Sequence, residues 1–225
     1  MVEGKLRKAS QIADNLISLG IFPSFIAGAW DFDMMNYKTT PTFKYTVSGT
    51  FAADTFLGSG SEAASGAMAG NRAGFSQPSA LIPFSPDGSF TFEAYVTTQD
   101  TVEQEVFVGL ASDVPSAADP PVPGADGIYF HRVDGAAVGN WIATVRNSTV
   151  DTDVATGVVG AAVDFKLKIV SDGINIKFYI DGVLKATIAN PALGVTLGVI
   201  FNAITTENVA KTLSVHGWKC NALFA

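Results

Sequence analysis

From residue 163 to 188 apolar and polar side chains alternate with a period of two, the repeat of a strand with one face buried. Phe165, Leu167 and Ile169 alternate with Lys166 and Lys168; Ile174, Ile176, Phe178 and Ile180 alternate with Asn175, Lys177 and Tyr179. Two Asp-Gly pairs, at 172–173 and 181–182, mark the turns of an antiparallel meander. A two-residue turn at Asp172-Gly173 predicts that Ile169 faces Ile176, Leu167 faces Phe178 and Phe165 faces Ile180. The same turn at Asp181-Gly182 would set Phe178 opposite Lys185 and cross the two faces. A three-residue loop, Ile180-Asp181-Gly182 with Gly182 at the left-handed bulge position, is therefore expected there, pairing Phe178 with Leu184 and Ile176 with Ala186. The register also sets Lys168 against Lys177 on the outer face, a like-charge pair that calls for an acidic neighbour.

The pattern recurs along the chain. Phe90, Phe92, Ala94 and Val96 share one strand face, and 106–110, 128–133, 141–146, 195–203 and 213–218 read as further strands. The proline-rich stretch 111–125 cannot supply a central strand. Residues 58–74 are built of small side chains and are expected to form an extended loop, either dividing an arm from the sheet domain or lying within one domain. Ahead of it, 42–51 alternates enough for a strand. Residues 3–19 carry a helical repeat, with Leu6, Ala9, Ala13, Leu16 and Ile17 near one face and Gly20 as a stop before Pro23. That helix reads as a segment packed on its own sheet, as an arm docking on a partner subunit, or as a disordered leader; its basic charge on an acidic chain favours the arm. The expected organisation is an N-terminal arm over 1–57, a small-residue loop and lead-in over 58–84, and a β-sandwich over 85–225. The fold class is all-β, two antiparallel sheets rather than β-α-β units.

Composition narrows the function. At 225 residues and 48% hydrophobic content the chain can bury a substantial core. A net charge of −7 argues against nucleic acid and anionic lipid as partners. The single cysteine, Cys220, excludes an intramolecular disulfide and a multi-cysteine metal site. Asp14, Asn15 and Ser18 interrupt any signal-like apolar run, and no stretch reaches the roughly 20 apolar residues of a membrane span, so a soluble protein is expected.

The candidate chemistry is sparse. Glu103 and Glu105 flank Gln104 on what alternation makes one strand face, where two carboxylates suit acid and base work. They read better as a solvated strand end. His131 and His216, the two histidines, lie far apart without a nucleophile elbow or metal-ligand spacing, and read as structural. Asp31 with Asp33, and Asp151 with Asp153, are weak calcium signals. No catalytic residue, metal site or cofactor is assigned. Trp141 beside Asn140, with Tyr129, supplies the aromatic and amide groups that a sugar site needs, set against ordinary core packing for a strand tryptophan.

Phe90-Thr-Phe-Glu-Ala-Tyr-Val, Val108-Gly-Leu-Ala-Ser, Asp126-Gly-Ile-Tyr-Phe, Phe165-Lys-Leu-Lys-Ile-Val and Phe178-Tyr-Ile-Asp-Gly resemble, in that order, a laminin-G or concanavalin-A-like jelly roll over roughly residues 85–220. More narrowly, they resemble the lectin-like domains of tailed-bacteriophage virion proteins. The carboxylates that hydrolases of this class carry, Glu-x-Asp-x-x-Glu, are incomplete at Glu103-Gln104-Glu105. The resemblance implies a non-catalytic capsid decoration, cement or minor capsid protein, made in the host cytoplasm and carried in the virion. Its arm would dock through Leu6, Ile12, Leu16, Ile21, Phe22, Phe25 and Trp30 on the major capsid protein or neighbouring structural subunits. A homo-oligomer, such as a trimer, suits that placement. The alternative is a lectin-like head of a tail fibre or adhesin, with a glycan as partner and Tyr129, Asn140 and Trp141 as its site. A glycoside hydrolase is the third and weakest reading.

Overall fold

The computed structural model describes residues 24–26, 29–33, 44–47, 49–54, 60–77, 87–99, 103–112, 125–132, 139–160 and 162–223. Among them are strands and no helix. In chain order these are β1 (Ser24–Ile26), β2 (Ala29–Asp33), β3 (Lys44–Val47), β4 (Gly49–Asp54), β5 (Gly60–Ser65), β6 (Arg72–Gln77), β7 (Ser89–Thr98) and β8 (Gln104–Ala111), followed by β9 (Gly127–Arg132), β10 (Asn140–Asn147), β11 (Val150–Val159), β12 (Asp164–Asp172), β13 (Asn175–Ile180), β14 (Val183–Ala189), β15 (Gly198–Thr205) and β16 (Thr212–Leu223). A nine-stranded sheet runs β1-β2-β16-β7-β12-β13-β14, with β4 and β5 attached along β16; a seven-stranded sheet runs β11-β10-β9-β8-β15-β6-β3. Every pairing is antiparallel. The two sheets form a sandwich, as the strand pattern predicts, of the jelly-roll kind that the resemblance implies.

The meander is present as β12, β13 and β14, with both turns corrected. Leu167 pairs with Ile180, Ile169 with Phe178 and Ser171 with Ile176, a register two residues away from the expected one. The cause is local. Asp172 is the residue before the loop, and its Oδ1 accepts the N–H groups of Ile174 and Asn175 at 3.0 and 2.7 Å. Gly173, at φ +87°, is then the first of two central residues, and Ile174 is pushed out of the strand to 74% exposure. A slip of two keeps every side chain on its face, so the core set survives the error. It also moves Lys177 opposite Val170 and Lys168 opposite Tyr179, so the expected lysine pair does not form.

At the second turn the chain does take a two-residue loop. Asp181 and Gly182 both have positive φ, +51° and +79°, the pairing typical of a type I′ hairpin. The face-crossing this causes is cancelled further along. Tyr179 pairs with Leu184 but Phe178 pairs with Ala186, so Lys185 is an inserted bulge residue. Ala186 and Ile188 thereby return to the core side.

Residues 58–74, expected as a loop, supply β5 and β6. Small side chains do not prevent pairing where neighbouring strands satisfy the backbone: β5 lies between β4 and β16, and β6 between β15 and β3. The question of whether the segment before residue 58 joins the sheets is answered by β2 pairing with β16 and β3 with β6. The helix expected over 3–19 lies outside the described residues. Asp151 and Asp153 fall in β11, an edge strand that the sequence does not announce because most of its residues are exposed.

The core fills the space between the sheets. β7 contributes Phe90, Phe92, Ala94 and Val96, as the alternation predicts, and β12 and β13 contribute Phe165, Leu167, Ile169, Ile176, Phe178 and Ile180. Opposite them stand Val106, Val108, Leu110, Ile128, Phe130, Trp141 and Phe201. Phe130 meets Phe178 edge-on at 5.2 Å, and Trp141 meets Phe165 edge-on at 5.7 Å. Each such ring, taken fully out of water, contributes about 2–3 kcal/mol before entropy is counted.

Candidate functional site on the outer face of the nine-stranded sheet

The alternation that sends apolar residues of β7, β12 and β13 inward sends the intervening ones outward. On β7 these are Glu93, Tyr95 and Thr97; on β12, Asp164, Lys166 and Lys168; on β13, Lys177 and Tyr179. Register then aligns them in rows. Glu93 lies beside Lys168 on β12 and beside Lys219 on β16, Tyr95 lies beside Lys166, and Lys168 lies beside Tyr179. The result is a shallow hollow of about 330 Å³ lined by Glu93, Lys166, Lys168, Val170, Tyr179 and Gly182.

Three ammonium groups converge on one carboxylate in this hollow. Lys168 Nζ is 2.8 Å from Glu93, Lys219 Nζ 3.4 Å and Lys166 Nζ 3.5 Å. Glu93 is thus the acidic neighbour the lysines require. Its burial works to raise the carboxyl pKa, but the Lys168 hydrogen bond and the charges of Lys168, Lys219 and Lys166 outweigh it and hold the group below its ordinary value.

One row along, Asp164 Oδ1 accepts the Thr97 hydroxyl, and Asp164 Oδ2 accepts the Tyr95 hydroxyl at 3.2 Å. Thr97 Oγ1 also lies 2.6 Å from His216 Nε2, at a bulge in β16. A carboxylate only accepts, so the single Thr97 proton goes to Asp164 and Nε2–H of His216 must donate to Thr97. The hydrogen bond from Thr97, helped by Tyr95 and by the nearby His216 ring, lowers the Asp164 carboxyl against the opposing effect of burial. Burial first, and Asp164 second, raise the Tyr95 hydroxyl and keep it protonated. The order Asp–Thr–His is the reverse of a nucleophile relay, in which the imidazole accepts the hydroxyl proton.

The residues singled out in the sequence fall elsewhere. Trp141 is 0% exposed in the inter-sheet core, and Tyr129, at 1%, lies on the opposite face of the same sheet. Thr144, not Trp141, pairs with Tyr129, so the two rings differ in strand parity and cannot line one sugar site with Asn140. Tyr129 is wedged against Phe107 and His131 at ring distances of 5.8 and 5.9 Å, and burial, reinforced by Asp151, pushes its hydroxyl pKa up. Asp151 is held by Arg146 at 2.8 Å and Asp153 by Thr144 at 2.6 Å, and no cluster able to hold a metal ion occurs among the described residues. Glu103 lies ahead of β8 at φ +61°, while Glu105 is within it, so the two carboxylates do not share a strand face. Leu6, Ile12, Leu16, Ile21 and Phe22 lie outside the described residues. Phe25 and Trp30 are paired in register across β1 and β2. The hollow on the nine-stranded sheet had a partial signal, the outward alternation Glu93-Tyr95-Thr97 and Lys166-Lys168. That two strands about 70 residues apart lie side by side had none.

No family model and no curated protein matches this chain. Among solved structures it is similar to the carbohydrate recognition domain of Emp46p in its potassium-bound form, at 9% identity and TM-score 0.60, covering 84% of this chain and 95% of that one. It is similar to the Crh5 transglycosylase in its apo form, at 10% identity and TM-score 0.63, covering 90% and 87%. It is also similar to botulinum neurotoxin type C, which depends on two ganglioside molecules to get into cells, at 12% identity and TM-score 0.55, covering 79% and 42%. At such identities the likeness shows the fold alone: a concanavalin-A-like jelly roll.

Proposed function

We propose that this protein is a non-catalytic carbohydrate-binding module that lays a saccharide across the outer face of its nine-stranded sheet. The observation that carries the reading is the open hollow beside Tyr179, with Tyr95 on the other side of β12. The two tyrosines sit on strands flanking β12 and two residues apart along it, about 12 Å from strand spacing and rise, a separation suited to an oligosaccharide. Ring faces supply stacking area, and the neighbouring charged side chains supply hydrogen bonds that fix orientation. A carbohydrate recognition domain and a ganglioside-dependent toxin among the neighbours support the reading by analogy of fold.

The Asp–Thr–His order and the separation of Glu103 from Glu105 support the non-catalytic part. The transglycosylase among the neighbours keeps an enzyme in view as the outcome to exclude. Of the settings that the phage resemblance implies, the head of a tail fibre or adhesin suits a glycan reader better than a capsid cement, which needs no open aromatic hollow. None of the three neighbours is a virion protein. A glycan array probed with the full chain and with Tyr179→Ala tests the proposal. The expected result is a defined set of bound glycans whose signal falls at least tenfold in the variant. Silence across the array, or turnover of a bound oligosaccharide, overturns it.

A further inference from the structure

Positive charge is concentrated around the hollow. The chain has a net charge of −7, yet four of its ten lysines, Lys166, Lys168, Lys177 and Lys219, stand on this one face. Most acids nearby are committed elsewhere. Asp172 holds the turn N–H groups and Lys177, Asp164 holds Thr97 and Tyr95, and Asp181 Oδ1 accepts the backbone N–H of Lys166 at 2.9 Å. Among the described side chains Glu93 is the carboxylate paired with Lys166, Lys168 and Lys219, one negative charge against three positive ones, while Asp33 is the register partner of Lys219 on β2. Glu93 lies deep in the group, its side chain 13% exposed, while the Lys166 side chain remains 56% exposed at the rim. Lysine ammonium groups held together by a carboxylate beneath them form a cradle for a second anion from solvent.

We propose that the saccharide recognised here is acidic, with a carboxylate or sulfate ester seated over Lys166 and Lys219, from which the sugar reaches across β12 to the Tyr179 ring. The proposal rests on the carbohydrate-binding reading and names its ligand class. Glu93 sets the spacing of the lysines and competes with the ligand for them. Binding is therefore salt-sensitive, because partly exposed charge pairs weaken as the screening length shortens.

The test uses immobilised oligosaccharides of one backbone in neutral, carboxylate-bearing and sulfate-bearing forms, with polyglutamate as an acidic polymer lacking sugar. The full chain is compared with the double variant K166Q/K219Q, which keeps the 2.8 Å Lys168–Glu93 pair, and with E93Q. Acidic forms are expected to bind at least tenfold more tightly than the neutral form, with the carboxylate and sulfate arms identifying which anion fits. The double variant should lose that preference, its affinity for the acidic forms falling to its affinity for the neutral one. E93Q should tighten acidic binding several-fold by removing the competitor, a gain that a purely structural ion pair would not give. Equal binding of neutral and acidic forms overturns the inference and leaves the sugar-binding reading standing. Absence of binding to every oligosaccharide overturns both. Polyglutamate binding as strong as the acidic glycans overturns the glycan assignment in favour of an acidic protein partner.

Discussion

Asp153, Thr144 and His131 on the outer face of the seven-stranded sheet form the same hydrogen-bond chain as Asp164, Thr97 and His216 on the outer face of the nine-stranded one. In each, the threonine gives its proton to the aspartate and takes one from the imidazole, Nδ1 in the first case and Nε2 in the second. The chain's two histidines are thus used alike, and both are buried, under different cover. The first chain sits under a second apolar cluster that includes Phe107, Tyr129, Ile200 and Ile204, and strands β8, β9 and β15 are buried on both faces. The second sits at the rim of an open, charged face. A satisfied polar chain in a dry place helps fix the packing around it, because any broken link leaves a buried group unpaired. In the second chain Thr97 and Asp164 are part-exposed, so their links contribute less to stability, and the hollow beside them stays open.

The largest effect that would break this contrast comes from the buried face. Tyr129→Ala should cost about 3–5 kcal/mol in urea unfolding by removing a ring that is 1% exposed. Gly109→Ala should be comparably damaging, because its Cβ would lie 2.5 Å from the Ile128 carbonyl and 2.6 Å from Tyr129 Cα, backbone atoms that cannot swing aside. A loss under about 1 kcal/mol in both would show that this face is not packed.

Next comes a matched pair. Thr144→Val should cost about 1–3 kcal/mol, since it removes the acceptor of the buried His131 N–H, whereas Thr97→Val should cost less than about 1 kcal/mol, because Asp164 lies 3.5 Å from His216 Nε2 and can accept its proton instead. Equal costs would erase the distinction.

Acidity separates the faces as well. Burial lowers the pKa of His131 despite Asp153 and Asp151, so the folded protein holds that imidazole neutral. A base with a depressed folded pKa contributes stability above its unfolded pKa, roughly 6.5, and loses it as pH falls from there through the folded value. Glu93 and Asp164 are lowered carboxyls, so their contribution is present above the ordinary carboxylate range, roughly pH 4, and is lost only below it. Unfolding midpoints followed from pH 7.5 downward should therefore begin to drop near pH 6.5, and His131→Gln should flatten that first decline while Glu93→Gln leaves it in place. A first decline unchanged in His131→Gln would assign it to another group. The smallest expected change in stability is that of Tyr179→Ala, within about 1 kcal/mol by thermal unfolding, accompanied by a binding loss of at least tenfold.

How far the residues foretold this arrangement varies with the range of the interaction. Strand faces followed from alternation alone, so Phe92, Leu167, Ile169 and Phe178 are core in expectation and in fact. Turn chemistry is subtler. Asp172-Gly173 has the pattern of the loop itself, but the aspartate side chain captures two N–H groups ahead of it and shifts the loop by one residue. At Asp181-Gly182 the conflict between turn length and face was legible, and its remedy, a bulge at Lys185, was not, because any residue of the following strand can be inserted. Trp141 lies in the core for a related reason: its type suits either a core or a sugar platform, and only its parity against Ile128 and Phe130, both inward, decides.

The sequence by itself determined an all-β sandwich, the inward set of each strong strand, and the outward alternation of Glu93, Tyr95, Lys166, Lys168 and Tyr179, because a period of two is a property of adjacent residues. The tertiary structure decided which outward residues meet. Glu93, Lys168 and Lys219 come from three strands spread over some 126 positions, and a side chain's charge carries no information about the register that will bring a distant partner to it. Nor could local pattern distinguish the two Asp–Thr–His chains, identical in residue type. They differ in the cover over the threonine, fully buried at Thr144 and part-exposed at Thr97, and that depends on what packs over each sheet, a fact of the assembled molecule.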